Sequence, residues 1–184
     1  MLRLAVTRTL VLELLEGHHA PLLFSLIEAN RARLRQWLPW LDTTTCAQDS
    51  RLWIDHVREQ YAQREAVNLG IFHQHALVGV IGLDTIDWAH RKASLGYWLG
   101  AQWQGRGLCT RSCRALLAHA FQKLELNRIE LYCAPQNHRS RALPLRLGFS
   151  REGLLRRAEW LYDHYEDHEL FSLLAAEWSL TAEC

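Results

Sequence analysis

Hydrophobic and polar positions along this chain repeat with two periods, near two and near 3.6, and the periods mark its strands and helices. Thr9 to Glu16 is rich in Leu and Val and predicts a strand, ended by Gly17. Pro21 suits the first turn of a helix whose apolar face carries Leu22, Leu23, Leu26 and Ile27. That helix is expected to continue through Leu34 toward Leu38, with a break near Asn30, until Pro39 stops it. Thr45-x-x-Gln48 fits a capping box. The helix it opens should turn Trp53, Ile54, Val57 and Tyr61 inward and Asp55, Arg58, Glu59 and Arg64 outward. Val67 to Phe72, Ala76 to Leu83 and Lys92 to Leu99 read as strands. The turn His73-Gln74-His75 and the polar stretch Asp84 to Arg91 join them, so an antiparallel meander is expected.

In the second half, Cys109, Cys113, Leu116, Leu117, Ala120 and Phe121 recur at helical spacing in a segment running from about Leu108 to Asn127. Arg128 to Ala134 follows as a strand with Ile129, Leu131 and Cys133 on one face, and Pro135 ends it. Strand, helix, strand is a crossover unit, so its two strands should be parallel and its connection right-handed. Ser140 to Leu147 predicts a short helix stopped by Gly148. Phe149 to Gly153 starts another strand, Trp160 and Tyr162 precede an acidic turn at Asp163 to Asp167, and Glu169 to Leu174 is the last strand. With no repeat, low-complexity tract or linker, residues 1–184 are expected to form one domain.

Composition narrows the class. The 184 residues are 49% hydrophobic and 22% charged, as expected of a soluble globular fold. Twenty-one basic and 20 acidic residues leave a net charge of +1, which argues against a nucleic-acid partner or a polybasic membrane anchor. No apolar run is long enough to span a bilayer, and Met1 to Thr9 has no apolar core or cleavage pattern, so a cytoplasmic protein is expected. The five cysteines Cys46, Cys109, Cys113, Cys133 and Cys184 are scattered and odd in number, and buried reduced thiols are the expectation. Among the ten histidines, His73 with His75 and His164 with His168 are the closest pairs. No Cys or carboxylate set completes a tetrahedral site around them, so no metal is expected.

Candidate chemistry gathers at Leu95 to Leu108, a strand, a glycine-rich loop and the first turn of a helix. Gly105 and Gly107 can take positive φ and turn successive N–H groups toward one point. The helix that follows opens with unpaired N–H groups and the positive end of its dipole. Such a cup suits an anion, a phosphate or diphosphate above all. The loop lacks the third glycine of a dinucleotide-binding turn and the Gly-Lys-Ser/Thr of a Walker loop.

Gln102-x-x-Gly105-x-Gly107 resembles the diphosphate-binding signature of the GNAT N-acetyltransferases. It is followed, after one helix and one strand, by Asn137-x-x-Ser140 and then by Leu147-Gly148-Phe149-x-x-Glu152-Gly153. With Gly96-Tyr97-Trp98-Leu99 before the loop and Ala158-Glu159-Trp160-x-Tyr162-Asp163 near the end, this order is similar to the RimJ/RimL group of protein N-terminal acetyltransferases. The RimL branch acetylates the N-terminal serine of the acidic stalk protein of the large ribosomal subunit. The resemblance implies an α+β fold, a twisted mixed sheet of about seven strands with flanking helices and a splayed central parallel pair. It implies an acceptor-side half at residues 1–91 and an acetyl-CoA-binding, catalytic half at 92–184. Pantetheine would lie along Tyr97, Trp98 and Leu99 and bond to Asn137. The diphosphate would lie among Gln102, Gln104, Gly105, Arg106, Gly107 and Leu108, with Arg139 nearby. Glu159 would be the general base and Ser140 the general acid.

Read without the family, Glu159 is a solvated charge at a strand end, Ser140 a helix cap and Asn137 a turn former. Pro144 departs from a regular helix: its missing N–H leaves the Ser140 carbonyl without the usual partner. The segment Arg35 to Leu41, with Trp37 and Trp40, is either a packed corner or a wall of the acceptor pocket, and Trp88 and Trp160 are further candidates for that wall. The expected acceptor is a protein N-terminus. The alternatives are a small amine, antibiotic or toxin on the same fold, or a non-catalytic coenzyme A sensor. By analogy a homodimer is expected.

Overall fold

In the computed structural model, which describes residues 2–181, Arg3–Ala5 (β1) pairs antiparallel with Leu10–Glu13 (β2). β2 is shorter than expected, and β1 has no counterpart in the pattern because three residues with an exposed–half-buried–exposed profile carry little periodicity. Ala20–Glu28 (α1) starts with Pro21 in its first turn and buries Leu23, Leu26 and Ile27. Leu22 is exposed, one position off that stripe. The break at Asn30 is built: its amide nitrogen donates to the Leu26 carbonyl at 2.8 Å and its Oδ1 accepts the Ala101 N–H at 2.7 Å. Arg31–Leu34 (α2) follows, and regular helix ends there, ahead of Pro39. Ala47–Ala62 (α3) is capped one residue later than expected. Asp49, a carboxylate rather than an amide, accepts the N–H groups of Thr45 and Cys46 at 2.7 and 3.0 Å. Arg58, expected outward, folds back to the Leu15 carbonyl at 3.2 Å.

Val67–His73 (β3), Ala76–Asp87 (β4) and Lys92–Leu99 (β5) form the expected meander. Leu108–Gln122 (α4) ends five residues before Asn127, and Arg128–Cys133 (β6) returns parallel to β5. His138–Arg146 (α5) leads to a long hairpin of Ser150–Leu161 (β7) and His164–Leu174 (β8), and Ala175–Thr181 (α6) closes the described chain. The predicted acidic turn at Asp163 to Asp167 is therefore mostly strand, and His164 and His168 share β8. β7 is exposed along most of its length, so polar residues on both faces hid it from a hydrophobic pattern. Among the described residues the sheet has eight strands rather than about seven, in the order β1-β2-β3-β4-β5-β6-β8-β7.

One core lies under α4, where Leu116, Leu117 and Ala120 meet Ile81, Leu95, Ile129 and Phe171. The other lies under α1 and α3, where Leu23, Ile27 and Ile54 meet Phe72 and Val80. Cys113 and Cys133 are buried and Cys109 is half-buried, all as free thiols. Cys46 is exposed at the start of α3, against expectation, and Cys184 lies outside the described residues. Among the described residues no helix is long and apolar enough to cross a membrane. No group of three or more His, Cys, Asp or Glu side chains among them could hold a metal ion.

Candidate active site

β5 and β6 pair at Lys92↔Arg128, Ala93↔Ile129 and Ser94↔Glu130, and no further, although β5 runs on to Leu99 and β6 to Cys133. Their C-terminal ends therefore part. The gap belongs to a cleft of about 1490 Å³ lined on one side by Tyr97, Trp98 and Leu99 and on the other by Leu131, Tyr132 and Cys133.

At one end of this cleft the chain leaves β5 and enters α4. Gly105 and Gly107 have φ of +72° and +70°, in the left-handed region that costs an L side chain about 1–2 kcal/mol. No protein atom lies within 4 Å of where a Cβ would stand at either position, so the backbone rather than crowding demands glycine. Gly107 is the N-cap of α4, and the helix's first residues Leu108, Cys109 and Thr110 line the cleft. Gln104 lines it too and accepts a bond from Arg139 Nη1 at 2.6 Å, tying α5 to the loop. Gln102 and Arg106 are exposed and off the cleft lining; the Arg106 guanidinium lies over the Trp103 ring, 5.2 Å from its centroid.

Two cleft arginines escaped sequence reasoning. Arg33 reaches from α2 to donate to the Leu99 carbonyl at 2.7 Å, while its Nε is buried with no partner. Burial first, and the nearby Arg139 charge second, lower its pKa. Arg146 lines the cleft from the end of α5. Neither sits in a motif, and the Arg33 side chain is distant in sequence from the Leu99 carbonyl and the Arg139 charge it meets. Unpaired amides, an orphaned guanidinium nitrogen and three arginines form a donor set that fits a polyphosphate.

Further along the cleft, Asn137 is the N-cap of α5 and its Oδ1 accepts the Ser140 N–H at 3.2 Å. Ser140 is thus not the cap. The hydroxyl of Tyr97 donates to the Ser140 carbonyl at 3.1 Å, supplying the partner that Pro144 cannot, and lies 3.3 Å from Ser140 Oγ. Burial pushes the Tyr97 phenol well above its ordinary value, so it stays protonated. Glu159 on β7 is half-buried, with its Oε2 3.5 Å from His168 Nε2 of β8. Both side chains line the same cleft as Ser140.

Trp37 and Leu38 form part of the wall. Trp40 lies behind it, packed against Trp98 with ring centroids 6.3 Å apart. Trp160 is off the cleft: strand alternation gives Glu159 and Leu161 to the lining and turns Trp160 outward, 53% exposed, onto Tyr165. Trp88 is also outside the lining, its indole donating to the Arg64 carbonyl at 2.7 Å.

A mixed sheet parted at its parallel pair, with a glycine turn and helix N-terminus at the mouth, defines the architecture of an acyl-coenzyme A transferase. Residues 9–150 match the acetyltransferase (GNAT) domain family, and the chain belongs to it. The chain is 32% identical over 167 residues to the ribosomal-protein-serine acetyltransferase of Escherichia coli, covering 91% of this chain and 93% of that one. It superposes with a TM-score of 0.91 on the structure of RimL, the ribosomal L7/L12 alpha-N-protein acetyltransferase, in complex with coenzyme A, at 28% identity over 94% of this chain and 98% of that one. It also superposes on the microcin C7 self-immunity acetyltransferase MccE in complex with acetyl-CoA and AMP, with a TM-score of 0.88 and 28% identity over 92% and 94% of the two chains.

Proposed function

We propose that this acetyltransferase uses acetyl-CoA to acetylate the N-terminal α-amine of a protein, a ribosomal protein foremost. The observation that carries the reading is the placement of Glu159 and Ser140 on one cleft whose far end is the glycine turn before α4. The likeness over nearly the whole chain to the Escherichia coli ribosomal-protein-serine enzyme supports the acceptor class.

Residues 92–184 would hold the coenzyme, and residues 1–91 would supply the acceptor wall through Trp37 and Leu38, with Trp40 behind. The amides at Gly105, Gly107 and Leu108, with Gln104, Arg139, Arg146 and Arg33, would hold the phosphates; Gln102 and Arg106 would act from outside the lining. The main chain of Tyr97, Trp98 and Leu99 would hold the pantetheine arm. The side-chain Nδ2 of Asn137, which has no protein acceptor among the described residues, is free to join them. Acetyl-CoA supplies an activated thioester carbon. Glu159 takes a proton from the attacking amine, and Ser140 gives one to the departing sulfur. A terminal α-amine has a pKa of about 8 against roughly 10.4 for lysine, so far less work is needed to make it a nucleophile near neutral pH. Trp160, exposed beside Tyr165, belongs in this reading to a surface for the rest of the acceptor or for a second subunit in a homodimer. The expected site of action is the cytoplasm.

A small-amine acceptor is the second reading, favoured by the likeness to MccE. Release of free thiol from acetyl-CoA separates the readings when the purified protein meets serine-initiated peptides and, separately, small amines. Turnover of the peptides is expected. Turnover of small amines alone would replace the first reading with the second, and no turnover at all would favour a coenzyme A sensor.

A further inference from the structure

The cleft contains one carboxyl group that the proposed chemistry leaves without a task. Asp84 of β4 stands in register with Ser94 of β5, and Ser94 is the last residue of β5 to pair with β6 before the strands part. The Asp84 backbone therefore lies one strand spacing, about 5 Å, from the strand that borders the gap at its apex. Asp84, Ser94 and Gly96 share one face of the sheet and all line the cleft. Because Gly96 has no side chain, the carboxyl can lie over its main chain: Oδ2 would be 3.1 Å from a Cβ built there. That main chain adjoins Tyr97, where the proposed pantetheine strand begins.

The surroundings of this carboxyl are incomplete in one specific way. Oδ1 accepts the Asn68 amide at 3.2 Å, while Oδ2 has no donor and no ion-pair partner among the described residues. The cations at the joined ends of β5 and β6 are committed elsewhere, Lys92 and Arg128 to Glu130, and Arg128 also to Glu152. Asp84 is exposed to the cleft, yet the protein around its carboxyl desolvates it enough to raise its pKa, with the Asn68 bond offsetting part of the rise. A carboxylate that faces the cleft beside the parting strands, with one oxygen unpartnered, is placed to accept a charge-assisted bond from a cation in the cleft.

We infer that Asp84 receives the ammonium group of the acceptor, one N–H donating to Oδ2 over Gly96, and so selects a charged amine for delivery to the gap. This rests on the amine-acceptor reading and adds the side chain that recognises the amine. Glu159 remains the group that removes the proton.

The test compares two probes by calorimetry against the coenzyme A-loaded protein, which cannot turn over: a serine-initiated hexapeptide and its desamino analogue. The unsubstituted protein is expected to prefer the amine form by at least about tenfold, the worth of a charge-assisted bond. Asp84→Asn should bind both peptides alike, raise KM for the amine peptide more than it lowers kcat, and keep its affinity for coenzyme A. Asp84→Glu, which retains the charge, should keep part of the preference and guards against a folding defect in the amide variant. An undiminished preference in Asp84→Asn, or a loss of coenzyme affinity equal to the loss of peptide affinity, would overturn the inference. If the unsubstituted protein binds neither peptide and acetylates none, the protein-acceptor reading fails and this inference with it, a result visible before any substitution is made.

Discussion

Ser140 is fixed from two sides, by the Asn137 side chain at its N–H and by the Tyr97 hydroxyl at its carbonyl. The sequence exposes the need for the second contact, since Pro144 removes the ordinary helical donor, but not its source, because Tyr97 sits on another element. Tyr97→Phe would leave that part-buried carbonyl unsatisfied at a cost of about 1–3 kcal/mol. For a chain of this size each kcal/mol lowers Tm by about 2–4 °C, which thermal unfolding can read; an unchanged Tm would mean that water replaces the phenol. Glu159 belongs to the same scale. Its neighbourhood was legible from the motif around Trp160, whereas its partner His168 was not, because the sequence does not reveal the register of β7 on β8. If Glu159 is the base, Glu159→Gln should lower kcat by about 10²-fold or more while coenzyme affinity stays within error. Full turnover in that variant would remove it from the chemistry.

Elements were legible where one face is buried and obscure where neither is. The β3–β4–β5 meander, α4 and the buried end of β8 follow from hydrophobic period; the outer part of the β7–β8 hairpin, where β7 is exposed on both faces, does not. Part of what holds that hairpin to the sheet is electrostatic. Arg128 of β6 reaches Glu152 of β7 at 2.6 Å, and Ser172 of β8 also donates to Glu152. The Arg128 bond first, and the Ser172 bond second, pull the Glu152 carboxyl from 4.5 down to about 2. A depressed folded-state pKa stabilises above the unfolded value and loses that stabilisation as pH falls through the folded one. The tie should therefore be at full strength above pH 4.5 and fade toward pH 2. Glu152→Gln should be less stable than the unsubstituted protein above that window and converge with it at its acid end, as urea unfolding at several pH values would show. Parallel curves across the window would contradict this role. At the glycine turn, Gly107→Ala should cost about 1–2 kcal/mol through its left-handed backbone. Gly107→Glu should in addition abolish coenzyme binding, because a carboxylate beside the amide cup repels phosphate; unchanged affinity by calorimetry would mean that the diphosphate sits elsewhere.

At the scale of the whole molecule, the crossover unit, the glycine turn and the order of the later motifs were enough to place the chain among the GNAT acetyltransferases, and residues 9–150 match that family. Arg33 and the carboxyl of Asp84 were not legible as cleft residues, since folding alone brings α2 and β4 to the cleft. The central proposal is transfer of an acetyl group to the first residue of a protein. Its most direct test is tandem mass spectrometry of unacetylated ribosomal proteins after incubation with this enzyme and acetyl-CoA. The expected result is one added acetyl group, on the α-amine of the N-terminal residue. Acetyl groups on lysine side chains, or none on any ribosomal protein, would contradict it.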